Sequence, residues 1–198
     1  IPKNNGVEFE EKQLPLPPYF MGLMIGDGCF TASKFNNANF ASSIIDLETY
    51  KKYVPFECKT VDDRHHFWRV PNIGKILLDL KLNDKKSHTK FIPNVYKYNS
   101  KQNRLELLQG LFDTDGHIDY GGNSAYVTVS KQLCDDVVEI LRSLGINCSI
   151  QICYNKYGKY YKVLVYTDIR LFKLERKYGK QKLTKTRAFK TGIVDIKY

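Results

Sequence analysis

Two segments of the chain repeat one plan, 88 residues apart. The first reads Phe20-Met21-Gly22-Leu23-Met24-Ile25-Gly26-Asp27-Gly28 and the second Leu108-Gln109-Gly110-Leu111-Phe112-Asp113-Thr114-Asp115-Gly116. Each is an apolar run with a small residue at its third and seventh positions, and each ends in Asp-Gly. A single Asp-Gly after an apolar run marks a helix stop. Two copies, each followed by strand-like residues, mark a duplicated unit that brings one carboxylate per copy to a common place.

On a helix, residues four apart share a face. Gly22 and Gly26 are so related, and so are Gly110 and Thr114. Small residues on one stripe let two helix backbones approach closely. Each motif helix is therefore expected to pack against the other, with Asp27 and Asp115 side by side at the two C-terminal ends. Two adjacent carboxylates at the negative ends of two helix dipoles are electrostatically poor as structure alone. A divalent cation resolves the conflict. Carboxylates and backbone carbonyls are hard oxygen ligands suited to Mg²⁺, and a metal so held can activate water and stabilise a leaving 3′-oxygen.

The rest of the chain divides around this pair. Residues 1–15 read as an extended lead-in, with Pro15, Pro17 and Pro18 set before a helix over 18–26. Residues 29–45 read as a hairpin around Asn36-Asn37, and Asp46 to Tyr50 as a capped helix start. Strands follow near 56–61 and 65–70, then a helix over 73–82. The order recurs: a helix over 103–114, strands near 117–121 and 125–130, a helix over 131–144, strands near 147–154 and 160–166, and a helix over 168–177. The expected fold is α+β, two pseudo-symmetric αββαββα halves over 16–90 and 103–185. Residues 91–102 read as a linker and 186–198 as a tail.

Charge points to a polyanion. Lys and Arg number 31 against 21 Asp and Glu, a net +10, which favours nucleic acid over a membrane. Aromatic and basic residues interleave from Tyr154 to Lys162. Five cysteines form no CxxC pair, so the pattern of a structural zinc site is missing. An odd number of thiols without a signal peptide is expected of an intracellular protein. No apolar run approaches membrane-spanning length. The start at Ile1-Pro2-Lys3 is expected of a fragment or a processed piece.

The two motifs resemble those of LAGLIDADG homing endonucleases, above all the endonuclease domains of inteins. Lys90-Phe91-Ile92-Pro93 and Arg104 to Gly110 resemble the block before the second motif, and Arg142 to Ile146 fits a helix end of that family. Ile25 stands where many members carry an acid. The resemblance implies a monomer in which each half lays a saddle-shaped antiparallel sheet in the major groove of double-stranded DNA over a long target site. It implies double-strand cleavage with Mg²⁺, for which Mn²⁺ can substitute. Asp27 and Asp115 take the places of the metal-binding acids, with the carbonyls of Gly26 and Thr114 as secondary ligands. Lys90 matches the family's active-site lysine of the first half. For the second half Lys177 is preferred, 62 residues after Asp115 against 63 from Asp27 to Lys90, with Lys182 and Lys185 as alternatives.

The same resemblance places base reading on alternate residues of the sheets. Ser124, Tyr126 and Thr128 are taken as the reading face of one strand, with Arg69 and Gln151 reaching base edges. Lys34, Asn36, Asn37, Lys156, Lys159 and Lys162, in or beside turns, are expected on phosphates. His117 and Asp119 are placed near the cut. The four histidines have no ligand spacing. Thr191 to Tyr198 resembles the re-entry into an intein's splicing half. The rival expectation is a non-cleaving binder on the same fold, such as an RNA maturase; two intact acids and a lysine favour the enzyme.

Overall fold

The computed structural model describes residues 5–30 and 37–183. Lys34, Asn36 and Lys185 lie outside the described residues, as do the tail and residues 31–36 of the first expected hairpin.

In the first half, helix α1 (Pro18–Asp27) precedes β1 (Asn37–Ala41), α2 (Ile44–Tyr53), β2 (Glu57–Thr60), β3 (His65–Arg69) and α3 (Ile73–Asp79). A short α4 (Asn94–Lys97) lies within the expected linker. The second half runs α5 (Lys101–Asp115), β4 (Gly116–Ile118), β5 (Ser124–Thr128), α6 (Lys131–Ser143), β6 (Asn147–Asn155), β7 (Gly158–Tyr166) and α7 (Glu175–Tyr178). Both sheets are antiparallel, in the orders β1-β3-β2 and β4-β5-β7-β6. An isolated antiparallel bridge joins Gly28 to Phe40 at the β1 edge of the first sheet. This is the mixed fold with two sheets that the duplication predicts.

The two motif helices form the centre of the molecule. Pro18 to Ile25 of α1 are all buried, and α1 packs more extensively on α5 than on any other element. Glycine is required where they cross. A methyl group at Gly22 would run into the Leu107 carbonyl and the Gly110 Cα, and one at Gly110 into the Tyr19 carbonyl and the Gly22 Cα. One turn on, Gly26 faces the Thr114 side chain. The sheets close over this pair with aromatic residues. Trp68 stacks on Phe40 at 4.4 Å, and Phe112 packs on Tyr126 and Phe172.

Two local expectations differ from the structure. Helix α2 is capped by Ser43, whose hydroxyl accepts from Ile45 N–H; Asp46 lies inside the helix, buried. Residues 168–174 are not helical. Their backbone N–H groups are taken instead by side chains, Leu171 by Gln181 and both Lys173 and Leu174 by the Asp113 carboxylate. Only α7 remains of that expected helix. The lead-in runs onto the second half: Val7 N–H donates to the Ser143 carbonyl at 2.7 Å. Buried Arg104 fixes this end by donating to the carbonyls of Asn99 and Val7 and to the Ser143 hydroxyl.

Candidate metal centre

The last carbonyls of a helix have no partner within it. Both motif helices solve this with a lysine from a distant segment. Lys90 Nζ donates to the Gly26 carbonyl at 2.6 Å and to the Gly28 carbonyl at 3.1 Å. Lys177 Nζ sits among the carbonyls of Phe112, Asp113, Thr114 and Gly116, at 2.7–3.3 Å. The two sites correspond. Each lysine clasps the residues immediately before and after its aspartate, so each aspartate lies beside an ammonium at the negative end of a helix dipole.

Asp27 and Asp115 line one cavity of about 280 Å³, with Gly26, Ser87, Lys90 and Thr128 among the other lining residues. Burial pushes the Asp115 carboxyl up to about 6; the charge of Asp27 adds to this, and Lys90 and Lys177 oppose it. Asp27 stands at the exposed mouth, yet crowding on its protein side still raises it, again against both lysines. Burial lowers Lys90, and lowers Lys177 to about 8. Two acids and two amines are thus coupled in one small volume.

The donor set fits a hard divalent cation. Two carboxylates, each favouring its neutral form because of burial and in Asp115 also because of the other, gain from a cation between them. The carbonyls expected as secondary ligands are already engaged: Gly26 accepts from Lys90, and Thr114 from Lys177. Each carbonyl oxygen has a second lone pair, so ligation there would be shared with a lysine. Among the described residues no cluster of three His, Cys, Asp or Glu gathers.

Of the three lysines considered for the second half, Lys177 is the one whose amine reaches the motif among the described residues. Lys182 is exposed, its backbone N–H on the Gly122 carbonyl. Ser124, Tyr126 and Thr128 require correction. They alternate as expected, but their face is the core face, with exposures of 2%, 0% and 8%. The apolar ring of Tyr126 belongs against Phe112, so buried side chains cannot read bases. The outward residue of that strand is Val127, which aligns with Lys162 and Gln151 across three strands. The first sheet has a matching outward row, Asn37, Arg69 and Glu57. His117 and Asp119 line a hollow with Lys162. Lys156 lies in the β6–β7 turn, and Lys159 lies over the Tyr161 ring on the opposite face from Lys162.

Sequence reasoning passed over Asp113. It is buried at the position where the first motif has Ile25, accepts from the Tyr19 hydroxyl at 2.7 Å, and holds the backbone of Lys173 and Leu174. Its carboxyl is raised to about 6, chiefly by burial. The available signal was an acid within an otherwise apolar helix face. Asp46 and Asp136, described below, gave no such signal.

Comparison with known proteins agrees with this architecture. Residues 102–179 match the family model of a LAGLIDADG-like domain. The second half is thus similar to a LAGLIDADG-like domain, and the chain as a whole has the fold of the LAGLIDADG homing endonucleases.

Among solved structures, the homing endonuclease I-DmoI with DNA and Ca superposes with a TM-score of 0.53 at 13% identity, over 80% of this chain and 92% of that one. An I-DmoI variant with its target DNA and Mn gives 0.51 at 15% identity, over 75% and 85%. Another, with target DNA and Mg, gives 0.52 at 14%, over 75% and 87%. At these identities the likeness establishes the fold.

Among curated proteins, the replicative DNA helicase DnaB of Mycobacterium intracellulare is 27% identical over 176 residues, 86% of this chain and 27% of that protein. The probable translation initiation factor IF-2 of Methanocaldococcus jannaschii is 27% identical over 157 residues, 73% of this chain and 13% of that protein. The chain thus spans only a minor part of either relative.

Proposed function

We propose that this chain is a site-specific, double-strand DNA endonuclease of the homing type. One observation carries the reading: two equivalent acid–lysine pairs, Asp27 with Lys90 and Asp115 with Lys177, meet at the joined ends of the motif helices. Two centres related by a pseudo-twofold suit the two antiparallel strands of a duplex. Asp27 and Asp115 hold a divalent cation, with the carbonyls of Gly26 and Thr114 as further oxygen donors. The cation supplies an activated water and charge stabilisation for the leaving oxygen. Mg²⁺ is the proposed ion; I-DmoI crystallised with Mg, Mn and Ca supports a divalent preference. The lysine amines stand where negative charge grows on the scissile phosphate.

The outward rows of the two sheets form the proposed DNA surface. Arg69 and Gln151 read base edges, and Asn37, Lys156 and Lys162 hold phosphates. With both motif helices in one chain, the molecule works as a monomer. The helicase and the initiation factor share no activity by name, yet each contains a stretch like this chain. This supports a portable module inserted into unrelated hosts, as an intein endonuclease is. Five cysteines outside any disulfide suit an intracellular setting, and among the described residues no helix is long and apolar enough to cross a membrane.

Incubation with a randomised plasmid library and Mg²⁺ tests the reading. The expected result is a discrete double-strand cut. Asp27→Asn removes one of the two carboxylates that would share the cation, so it should slow cutting of both strands by roughly a thousandfold, the scale of a lost metal contact. No discrete cut, together with indifference to Asp27→Asn, overturns it. Tight binding to structured intron RNA without DNA cleavage would favour the maturase instead.

A further inference from the structure

Each lysine is held in place from the other half. Lys90 serves the first motif, but its segment is fastened to α6 of the second half. The Ser130 hydroxyl donates to the Lys90 carbonyl at 2.7 Å, and the buried Asp136 carboxylate accepts from Ile92 N–H at 2.8 Å. Asp136 also accepts from Lys97 and Gln132, which lock its orientation. Lys177 serves the second motif, but its neighbour Arg176 reaches α2 of the first half. There it makes a two-pronged pair with the buried Asp46 carboxylate, at 2.6 and 2.5 Å. The cap residues Ser43 and Ser130 occupy matching places in α2 and α6, and Asp136 lies about one turn further along its helix than Asp46 does. The pseudo-twofold therefore relates two crossed fastenings.

A lysine capping a helix end could be anchored by its own half, as Lys177 partly is through Asp113. Crossing makes the position of each amine depend on how the halves are docked. A planar guanidinium gripped by both carboxylate oxygens fixes direction as well as distance. A shift of about 1 Å in a catalytic group can cost about a hundredfold in rate.

We propose that Asp136 and Asp46 are positioning residues that act in trans between the halves: Asp136 aims Lys90 at the first centre, and Asp46, through Arg176, aims Lys177 at the second. Each half thereby completes the cutting centre of the other. The strand-cutting consequence rests on the endonuclease reading; the placement of the amines does not.

Two measurements on the full chain separate these. Amine-labelling of the folded protein, followed by mass spectrometry of Lys90 and Lys177, reads placement alone. Asp46→Asn should raise labelling of Lys177 several-fold and leave Lys90 unchanged; Asp136→Asn should do the reverse. Equal increases at both lysines, or none, overturn the proposal. Strand-resolved cleavage with Mg²⁺ reads the consequence. Asp46→Asn should accumulate nicked DNA with the same strand intact as Lys177→Ala, and Asp136→Asn with the opposite strand intact, each slowed about tenfold to a hundredfold. Uniform slowing of both strands overturns the trans assignment.

The charge-swapped pair Asp46→Arg with Arg176→Asp should recover much of the lost strand balance; failure to do so while the protein stays folded also counts against it. Selective labelling without any DNA cleavage would uphold the positioning and overturn the endonuclease reading.

Discussion

At the residue scale, the crossing of α1 and α5 depends on the absence of two methyl groups. Any side chain at Gly110 meets main-chain atoms of α1, which cannot turn aside as a flexible side chain can. Gly110→Ala should destabilise the protein by about 1–3 kcal/mol or more, the range for overpacking a tight core. Urea unfolding of wild type and variant measures it, and a change below a few tenths would contradict the close approach. The small-residue stripe was legible in the sequence because four-residue spacing is a property of the helix itself. The face chosen for Ser124, Tyr126 and Thr128 was not. Alternation fixes which residues share a side, but not which side meets the helices. The half-buried Val127 and the buried Tyr126 look equally plausible until Phe112 is in place.

At the scale of elements, the first sheet has a titratable group in its core. His66 is fully buried beside Trp68, its Nδ1 3.3 Å from the Thr60 hydroxyl. Burial holds the imidazole below its ordinary value. Above about pH 6.5, the ring is neutral in folded and unfolded chains alike. As pH falls below that value the unfolded chain takes up the proton first, so stability drops until the folded pKa is reached. Asp113 and Asp115, raised to about 6 in the folded chain, work in the opposite sense over the same range, so the His66 loss is read as a difference: between about pH 7 and about pH 5.5 chemical denaturation should show wild type losing stability relative to His66→Phe. An identical loss in the variant would assign the acid sensitivity elsewhere. Most element positions could be read from pattern, because turn glycines and apolar periods are local. The helix expected over 168–177 shrank to α7 because Asp113, distant in sequence, captures the N–H groups that a longer helix would use.

At the scale of the molecule, a net charge of +10 should make binding to DNA strongly dependent on salt. Lys162 stands on the outward row of the second sheet, beside Gln151. Lys162→Ala should weaken binding and reduce the slope of log affinity against log salt by about one. Fluorescence anisotropy across a salt series measures it; an unchanged slope would take Lys162 off the phosphates. The halving of the chain was visible in its repeats, since each copy keeps its own motif. The crossed fastenings of Asp46 and Asp136 were not, because a pair such as Asp46 and Arg176, 130 residues apart, leaves no periodic trace.

The meeting of Gly26 with Thr114 has a consequence for which halves can pair. Two first halves could pair through glycine on glycine, leaving at most a small gap. Two second halves would set threonine against threonine, where even one methyl facing Thr114 has no room. A second half could therefore pair with a copy of itself only if the two helices stood further apart at this step than they do here. The close approach that brings Asp27 beside Asp115 is a property of the unlike pair, so the two halves are not interchangeable partners.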